Sequence, residues 1–260
     1  MAYNKGFAGL WDQLLSEGQV TVTLEEVETR SSSSPGSVRV AVAEAQRRHQ
    51  LFSPVRGLYV LVPPQYRSQG TVPADWFLDD LCRHLGRHYY LGYLSAAARH
   101  GASHQAVQVT QVVVDRRVPD RSFGSVRLRF YADGRMAHWP AVAVAGPTGT
   151  LRVASPETCA FDLASDTRRG GGASSVATVL QELDLDPQEL ADQGRDRPRA
   201  SVRRLGFLLE RAGKEVGLGS LQELAHPGTS RTLLDPAGPK YGDVDRRWSV
   251  IVNTTVEPEG

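Results

Sequence analysis

His84 and His88 stand four residues apart in a stretch with helical spacing, which puts two imidazoles on one face, where a divalent metal binds; Cys82 and His100 are the further candidate ligands. No glutamate lies between the two histidines, and Arg83 and Arg87 beside them suit a solvated face equally well. Glu157 and Asp162 come nearest to a carboxylate pair, but Glu157 falls at a predicted helix start, where the dipole accounts for an acid. A restriction-type nuclease needs an acid followed by Glu-x-Lys, and no glutamate here has lysine two positions later. Gly170, Gly171 and Gly172 follow a predicted helix and lack the Lys-Ser/Thr of a phosphate loop, and no Gly-x-Ser-x-Gly occurs. These patterns argue against an enzyme and require neither metal nor cofactor. A nuclease or metal-dependent hydrolase using the second half of the chain is the rival reading.

The chemistry that does stand out is cationic. From Arg30 to Arg67 there are six arginines (Arg30, Arg39, Arg47, Arg48, Arg56 and Arg67) against one acid, Glu44. The segment just before it carries Glu25, Glu26 and Glu28. An acidic element followed by a basic one is the footprint of a surface that meets phosphate on one side only. Its plainer counterpart is a protein-docking module whose arginines are simply solvated.

The elements that must position these arginines have the order of a winged helix-turn-helix. Phe7, Leu10, Trp11, Leu14 and Leu15 predict a first helix over Phe7 to Leu15, stopped by Gly18. Val20 to Val22 is an extended link. Thr23 with Glu26 forms a capping box for a second, acidic helix. Ser37 caps the third, which runs to His49 and buries Val38, Ala41, Val42 and Ala45. Leu51 to Ser53 and Leu58 to Val62 pair as the wing, with Arg56 at its tip. The expected DNA contacts are Ser33, Ser34 and Ser37 at the helix start, Arg39, Arg47, Arg48 and His49 along it, and Arg56 on the wing. The Ser37 to His49 helix would lie in a major groove.

Pro63, Pro64 and Ser68 to Pro73 make a linker-like stretch, so the expected division is a winged helix-turn-helix over 1–70 and a mixed α/β C-terminal domain over 71–260. The later domain predicts helices over Trp76 to Leu85 and Tyr89 to Ala98 and a strand over Val107 to Val114. A hairpin is expected to join Val126 to Tyr131 with Met136 to Pro140 across Asp133-Gly134. A short strand follows at Leu151 to Val153, then a helix capped by Ser155 and a mobile loop at Arg168 to Ala173. Further helices are expected at Ser174 to Leu183, Pro187 to Gln193, Ser201 to Ala212 and Leu218 to Leu224, and a closing strand at Trp248 to Val252. The fold class is α+β. Arg127, Arg129, Arg203, Arg204, Arg246 and Arg247 are either added phosphate contacts or scattered surface charge.

The chain has 260 residues and a formal net charge of +1, so nucleic-acid binding must come from a local patch. Cys82 and Cys159 have no Cys-x-x-Cys partner, which fits a reducing compartment. The first residues lack a cationic segment followed by an apolar run, and no stretch approaches the ~18 apolar residues of a membrane helix. The expected location is the cytoplasm.

Several runs carry a family resemblance. They are Arg56-Gly-Leu-Tyr-Val-Leu-Val-Pro-Pro-Gln-Tyr-Arg, Trp76-Phe-Leu-Asp-Asp-Leu, Tyr89-Tyr-Leu-Gly-Tyr-Leu-Ser-Ala-Ala-Ala-Arg-His-Gly-Ala-Ser-His-Gln, Val109-Thr-Gln-Val-Val-Val, Ser155-Pro-Glu-Thr-Cys-Ala-Phe-Asp-Leu and Arg203-Arg-Leu-Gly-Phe-Leu-Leu-Glu. Together they resemble the AbiEi family, antitoxins of type IV toxin–antitoxin systems of abortive phage infection. The resemblance implies an N-terminal winged helix that represses its own operon on double-stranded operator DNA. It also implies a C-terminal domain that counteracts a partner nucleotidyltransferase toxin. Family members carry a compact turn between the second and third helices, whereas Thr29 to Ser37 reads here as a longer, serine-rich connection.

Overall fold

The structure, a computed structural model, describes residues 7–102, 108–225 and 230–257. The fold is α+β, and the chain forms two compact units that interleave in sequence. The first takes in the chain to Tyr89 together with Gln108–Gly134 and Ala143–Arg152; the second comprises Tyr90–Val107, Arg135–Val142 and Val153–Gly260.

In the first unit, α1 spans Phe7–Ser16, β1 Thr21–Thr23, α2 Leu24–Ser31, α3 Pro35–Arg47, β2 Leu51–Val55 and β3 Leu58–Leu61. α1 turns Leu10, Trp11 and Leu14 inward at i, i+1, i+4, and α2 and α3 add Val27, Val38, Val42 and Ala45 to the same core. Each large side chain so buried contributes roughly 1.5–3 kcal/mol, which fixes the helices whatever their weak individual propensities. The capping box at the start of α2 is complete: Thr23 accepts from the Glu26 amide and Glu26 reaches back to the Thr23 amide at 2.6 Å. β1, β3 and β2 form an antiparallel sheet in that order, with Thr21 opposite Val60 and Leu51 opposite Leu61.

Beyond Pro63 the unit continues through two short 3-10 turns, Pro64–Tyr66 and Ala74–Trp76, into α4, Leu78–His84. The helix expected from Trp76 is therefore shorter, and it stops ahead of Gly86, at φ +61°. Phe52 of β2, Phe77 and Phe123 meet as a three-ring cluster with centroids 5.3–6.1 Å apart, so β2 is anchored to residues well past the Pro-rich stretch.

β4 covers Tyr89–Leu91 and α5 Tyr93–Arg99, where one helix was expected from Tyr89. Two tyrosines and a leucine have strand propensity, and the small residues that suggested a helix begin only at Ser95; Tyr93 at φ +51° makes the break. β5 is Thr110–Val114, β6 Arg121–Phe123 and β7 Val126–Ala132. The expected strand start at Val107 lies outside the described residues. β7 pairs antiparallel with β6 and parallel with β5, Thr110 opposite Leu128. That overturns the expected hairpin across Asp133-Gly134: Met136–His138 is a 3-10 turn, because Met136 and Trp139 are buried three residues apart, the spacing of one helical turn and not the alternation of a strand.

β8, Ala141–Gly146, and β9, Gly149–Ala154, carry the chain from one unit to the other and back. In the second unit Leu91 of β4 stands opposite Val153 of β9 in parallel. α6 spans Pro156–Ser165, α7 Ala173–Glu182, α8 Pro187–Asp196, α9 Arg199–Arg211 and α10 Leu218–Ala225. Ser155 caps α6 as expected, accepting from the Thr158 amide at 3.2 Å. The expected mobile loop at the triple glycine is instead a 3-10 turn, Thr167–Gly170, with Gly170 buried against Val176 and Leu163, where a Cβ would lie within 2.8 Å of either. β10 (Thr232–Leu233), β12 (Val250–Val252) and β11 (Asp243–Asp245) make a small sheet in the order β10-β12-β11.

Candidate nucleic-acid interface

The connection expected to be long is short. α2 ends at Ser31, Ser32 takes a left-handed conformation at φ 51°, and α3 begins at Pro35. Ser34, not Ser37, is the N-cap: its hydroxyl accepts from the Ser37 amide at 3.3 Å and lies 3.0 Å from the Ser37 hydroxyl. Proline explains the earlier start, since its fixed φ suits the first helical position and its missing N–H costs nothing there. The same substitution of roles removes donors. Pro35 has no amide proton and that of Ser37 is taken by Ser34, while Ser33 donates to the Ser31 carbonyl at 3.2 Å. The helix start therefore offers a phosphate fewer amides than three serines suggest.

Burial divides α3 cleanly. Val38, Val42 and Ala45 face the core, and Ala41 is half-buried at its margin. Opposite them, Gly36, Val40, Ala43 and Arg47 follow at i, i+4, i+7, i+11 as an exposed meridian. Arg39 and Gln46 run along one side of it; Ser37, Glu44 and Arg48 along the other, all exposed. Arg48 is held by Glu44 one turn back at 2.5 Å, whereas the Arg47 Nε reaches only the Ala43 carbonyl at 3.4 Å. His49 sits just past the helix at φ 53°, where its amide bonds the Gln46 carbonyl and that of Gln50 bonds the Ala45 carbonyl, a Schellman termination.

The hairpin β2–β3 turns through Arg56-Gly57, with Val55 opposite Leu58 and Gly57 at φ +88°, and it projects the exposed Arg56. Pro54 falls inside β2, which the ladder tolerates because the register shifts between Phe52 and Val55. The tip is braced from two sides: His84 Nε2 lies 3.1 Å from the Arg56 carbonyl, and Arg121 donates to the Pro54 carbonyl at 3.0 Å.

The six arginines thus separate. Arg30 pairs with Glu17 at 2.6 Å and bonds Gln19, and the hydrogen bond from Gln13, followed by that from Arg30, holds the Glu17 carboxyl below its ordinary value. Arg67 is half-buried with its Nε enclosed, and Arg48 is tied to Glu44. Arg39, Arg47 and Arg56 are exposed and make no ion pair among the described contacts.

The candidates of the second half are placed elsewhere. His84 ends α4 and His88 lies beyond it, so the two do not share a helix face. His100 Nε2 bonds the Ala154 carbonyl at 2.7 Å, and burial pushes the Cys82 thiol up to about 12. No three His, Cys, Asp or Glu side chains converge as a metal site among the described residues. Glu157 is buried and accepts from the Ser155 hydroxyl and the Asp186 amide, each at 3.0 Å. Asp162 meets the buried Arg197 at 3.2 Å, and the Arg197 guanidinium lies 3.7 Å from the Trp139 ring centroid. Sequence reading missed this internal pair, since neither periodicity nor a motif marks it. Arg203 and Arg204 are internal struts too: Arg203 donates to the Ala225 and Ser230 carbonyls, and Arg204 to those of Leu233 and Ser165. They cannot add phosphate contacts. Arg247 pairs with Glu210 and Arg129 with Asp120.

Residues 90–211 match the family model of the AbiEi antitoxin C-terminal domain. Among curated proteins none matches the chain in sequence. The crystal structure of the RV2827C protein from Mycobacterium tuberculosis is similar over 93% of this chain and 89% of that one, with a TM-score of 0.69 at 19% identity, a likeness of fold. No helix among the described residues is long and apolar enough to cross a membrane.

Proposed function

From the premise that this chain belongs to the AbiEi antitoxin family, we propose that it is a cytoplasmic, DNA-binding autorepressor, the antitoxin of a type IV pair. Its first ~70 residues act as a winged helix-turn-helix on the operator of its own operon, and the remainder counteracts a nucleotidyltransferase toxin encoded alongside. In this reading α3 enters the major groove and the β2–β3 hairpin is the wing.

One observation carries the reading. The outward face of α3 and the tip of the adjoining hairpin present Arg39, Arg47 and Arg56 to solvent, while the one acid on that helix, Glu44, is neutralised by Arg48. A helix with such a face, backed by a buried three-helix core and flanked by a braced hairpin, suits a groove lined by phosphate. Arg39 and Arg47 lie nearest its centre and are the main candidates for base or phosphate contact; Arg56 serves the flanking backbone. Ser33, Ser34, Ser37, Arg48 and His49 have secondary parts, since capping, an ion pair or a helix termination already occupies each.

The test is a binding titration of the full chain against its own upstream DNA and a scrambled duplex at two salt concentrations. Tighter, salt-sensitive binding to the upstream DNA is expected. Equal binding to both duplexes would reject autorepression and leave the helical module as a non-specific DNA binder or a protein-docking surface.

A further inference from the structure

Among the described residues three large hydrophobic side chains stand exposed, Val40 at 66%, Val142 at 41% and Tyr241 at 79%. Val40 is the one that falls in the middle of the cationic helix face. Singly exposed hydrophobics need no explanation as a rule, but the neighbourhood of this one is specific. Along the same meridian come Gly36, one turn before it, and Ala43, one turn after, and a Cβ added at Gly36 would meet nothing nearer than the Ser34 hydroxyl at 3.9 Å. From Gly36 to Ala43 no side chain on that meridian is long enough to hold the helix backbone off a flat surface. The long ones flank it, Arg39 and Gln46 on one side and Glu44 paired with Arg48 on the other, and Arg47 lies one turn beyond Ala43.

We propose that Val40 reads the C5-methyl group of a thymine in the major groove, so that operator specificity depends on a T·A pair facing the middle of α3. The inference rests on the DNA-binding reading above and deepens it. The chemistry is selective because the N7, O6, O4 and exocyclic amino groups of the major-groove edges are hydrogen-bond donors or acceptors, which an isopropyl group would desolvate without compensation, and cytosine offers only a C5–H in place of the methyl. The thymine methyl is the largest apolar group there. A β-branched side chain on a helix is held in one χ1 rotamer, so little freedom is lost on contact. Valine is also a poorer helix former than the charged or amide residues that would suit a solvated position. The flanking arginines supply the attraction to phosphate that brings this small apolar face within reach.

The experiment removes one methyl at a time. Each thymine of the upstream duplex is replaced by deoxyuridine, which changes nothing else on the base edge, and the Kd of the full chain is measured for the wild type and for Val40→Ala. At one or two positions the wild type weakens roughly fourfold, the worth of a single buried methyl. Val40→Ala is weakened by a similar factor on unmodified DNA and is indifferent to deoxyuridine at those same positions, which is the signature of a direct pair. Matching thermal melts confirm that the variant is folded, as expected for a position so exposed. Two outcomes overturn the assignment: a wild type insensitive to deoxyuridine everywhere, or a variant that keeps the wild-type sensitivity. A wild type that binds the scrambled duplex equally well would instead reject the DNA reading on which the assignment stands.

Discussion

His84, the last residue of α4, places its Nε2 3.1 Å from the carbonyl oxygen of Arg56, at the turn of the β2–β3 hairpin. A carbonyl only accepts, so Nε2 carries the proton. Hairpin tips are ordinarily mobile, and this one is tied to the helix behind it. His84→Ala is expected to lower the stability of the chain by about 0.5–1.5 kcal/mol, the usual worth of one such bond. Denaturant unfolding measures it, and an unchanged midpoint would show that the hairpin does not depend on the contact.

Salt dependence separates the arginines. Replacing Arg39 and Arg47 together by alanine should lower the slope of log affinity against log salt by about two units, since each phosphate contact contributes roughly 0.9. Arg48→Ala should change it by less, because its charge is shared with Glu44 on an exposed helix face, where such pairs are themselves worth only a few tenths of a kcal/mol. Equal effects of the two variants would place the phosphate track on the Arg48 side.

His49 occupies a left-handed position at the end of α3 that glycine fills without strain. His49→Gly should therefore raise stability by about 1 kcal/mol, the scale of the steric cost removed. A drop in affinity accompanying that gain would assign the imidazole to the DNA surface; unchanged affinity would make it a terminator only.

In the second unit the Trp248 ring lies against Gly206 of α9 so closely that a Cβ would fall 2.0 Å from its Cζ3, while its Nε1 donates to Glu210 at 2.7 Å. Glycine within a helix costs about 1 kcal/mol relative to alanine, and here it makes room for an indole. Gly206→Ala should destabilise by about 3 kcal/mol or more, as overpacking does, and broaden the tryptophan signals of the folded state. A stabilised variant would show that the ring moves aside freely.

Alkaline pH should weaken the fold through Cys82. Burial, with the charges of Asp79 and Asp115, raises its thiol from 9.0 to about 12. The neutral thiol is the form the folded chain holds, so its contribution is complete below pH 9 and declines from there toward 12 as only the unfolded chain ionises. Unfolding titrations at pH 8 and pH 10 should show the loss, and Cys82→Ala should show less of it. In the native chain the thiol should also resist alkylation at pH 8.

Local chemistry was legible wherever neighbours in sequence are partners in space. The capping box of Thr23 and Glu26, the Ser155 cap ahead of Pro156 and the apolar stripes of α1 and α9 all rest on contacts within four residues. The choice of Ser37 as the α3 cap failed by one turn because proline permits an earlier start and four serines offered several caps. The hairpin at Asp133-Gly134 failed because a turn signal says where a chain reverses and not which strand it joins. β7 found partners on both sides, one of them parallel.

By itself the sequence determined the α+β class, the order of the first six elements and the concentration of arginine between residues 30 and 67, because periodicity, capping and charge are local properties. Only the tertiary structure decided which of those arginines are free. Arg30 is engaged by groups 11 and 13 residues away, and outside that segment Arg203 and Arg204 by groups 22 to 39 residues away, whereas Arg39, Arg47 and Arg56 stay exposed. The physical reason is that a guanidinium reaches several ångströms through space and finds whichever carboxylate or carbonyl the fold brings there. No spacing along the chain records that meeting.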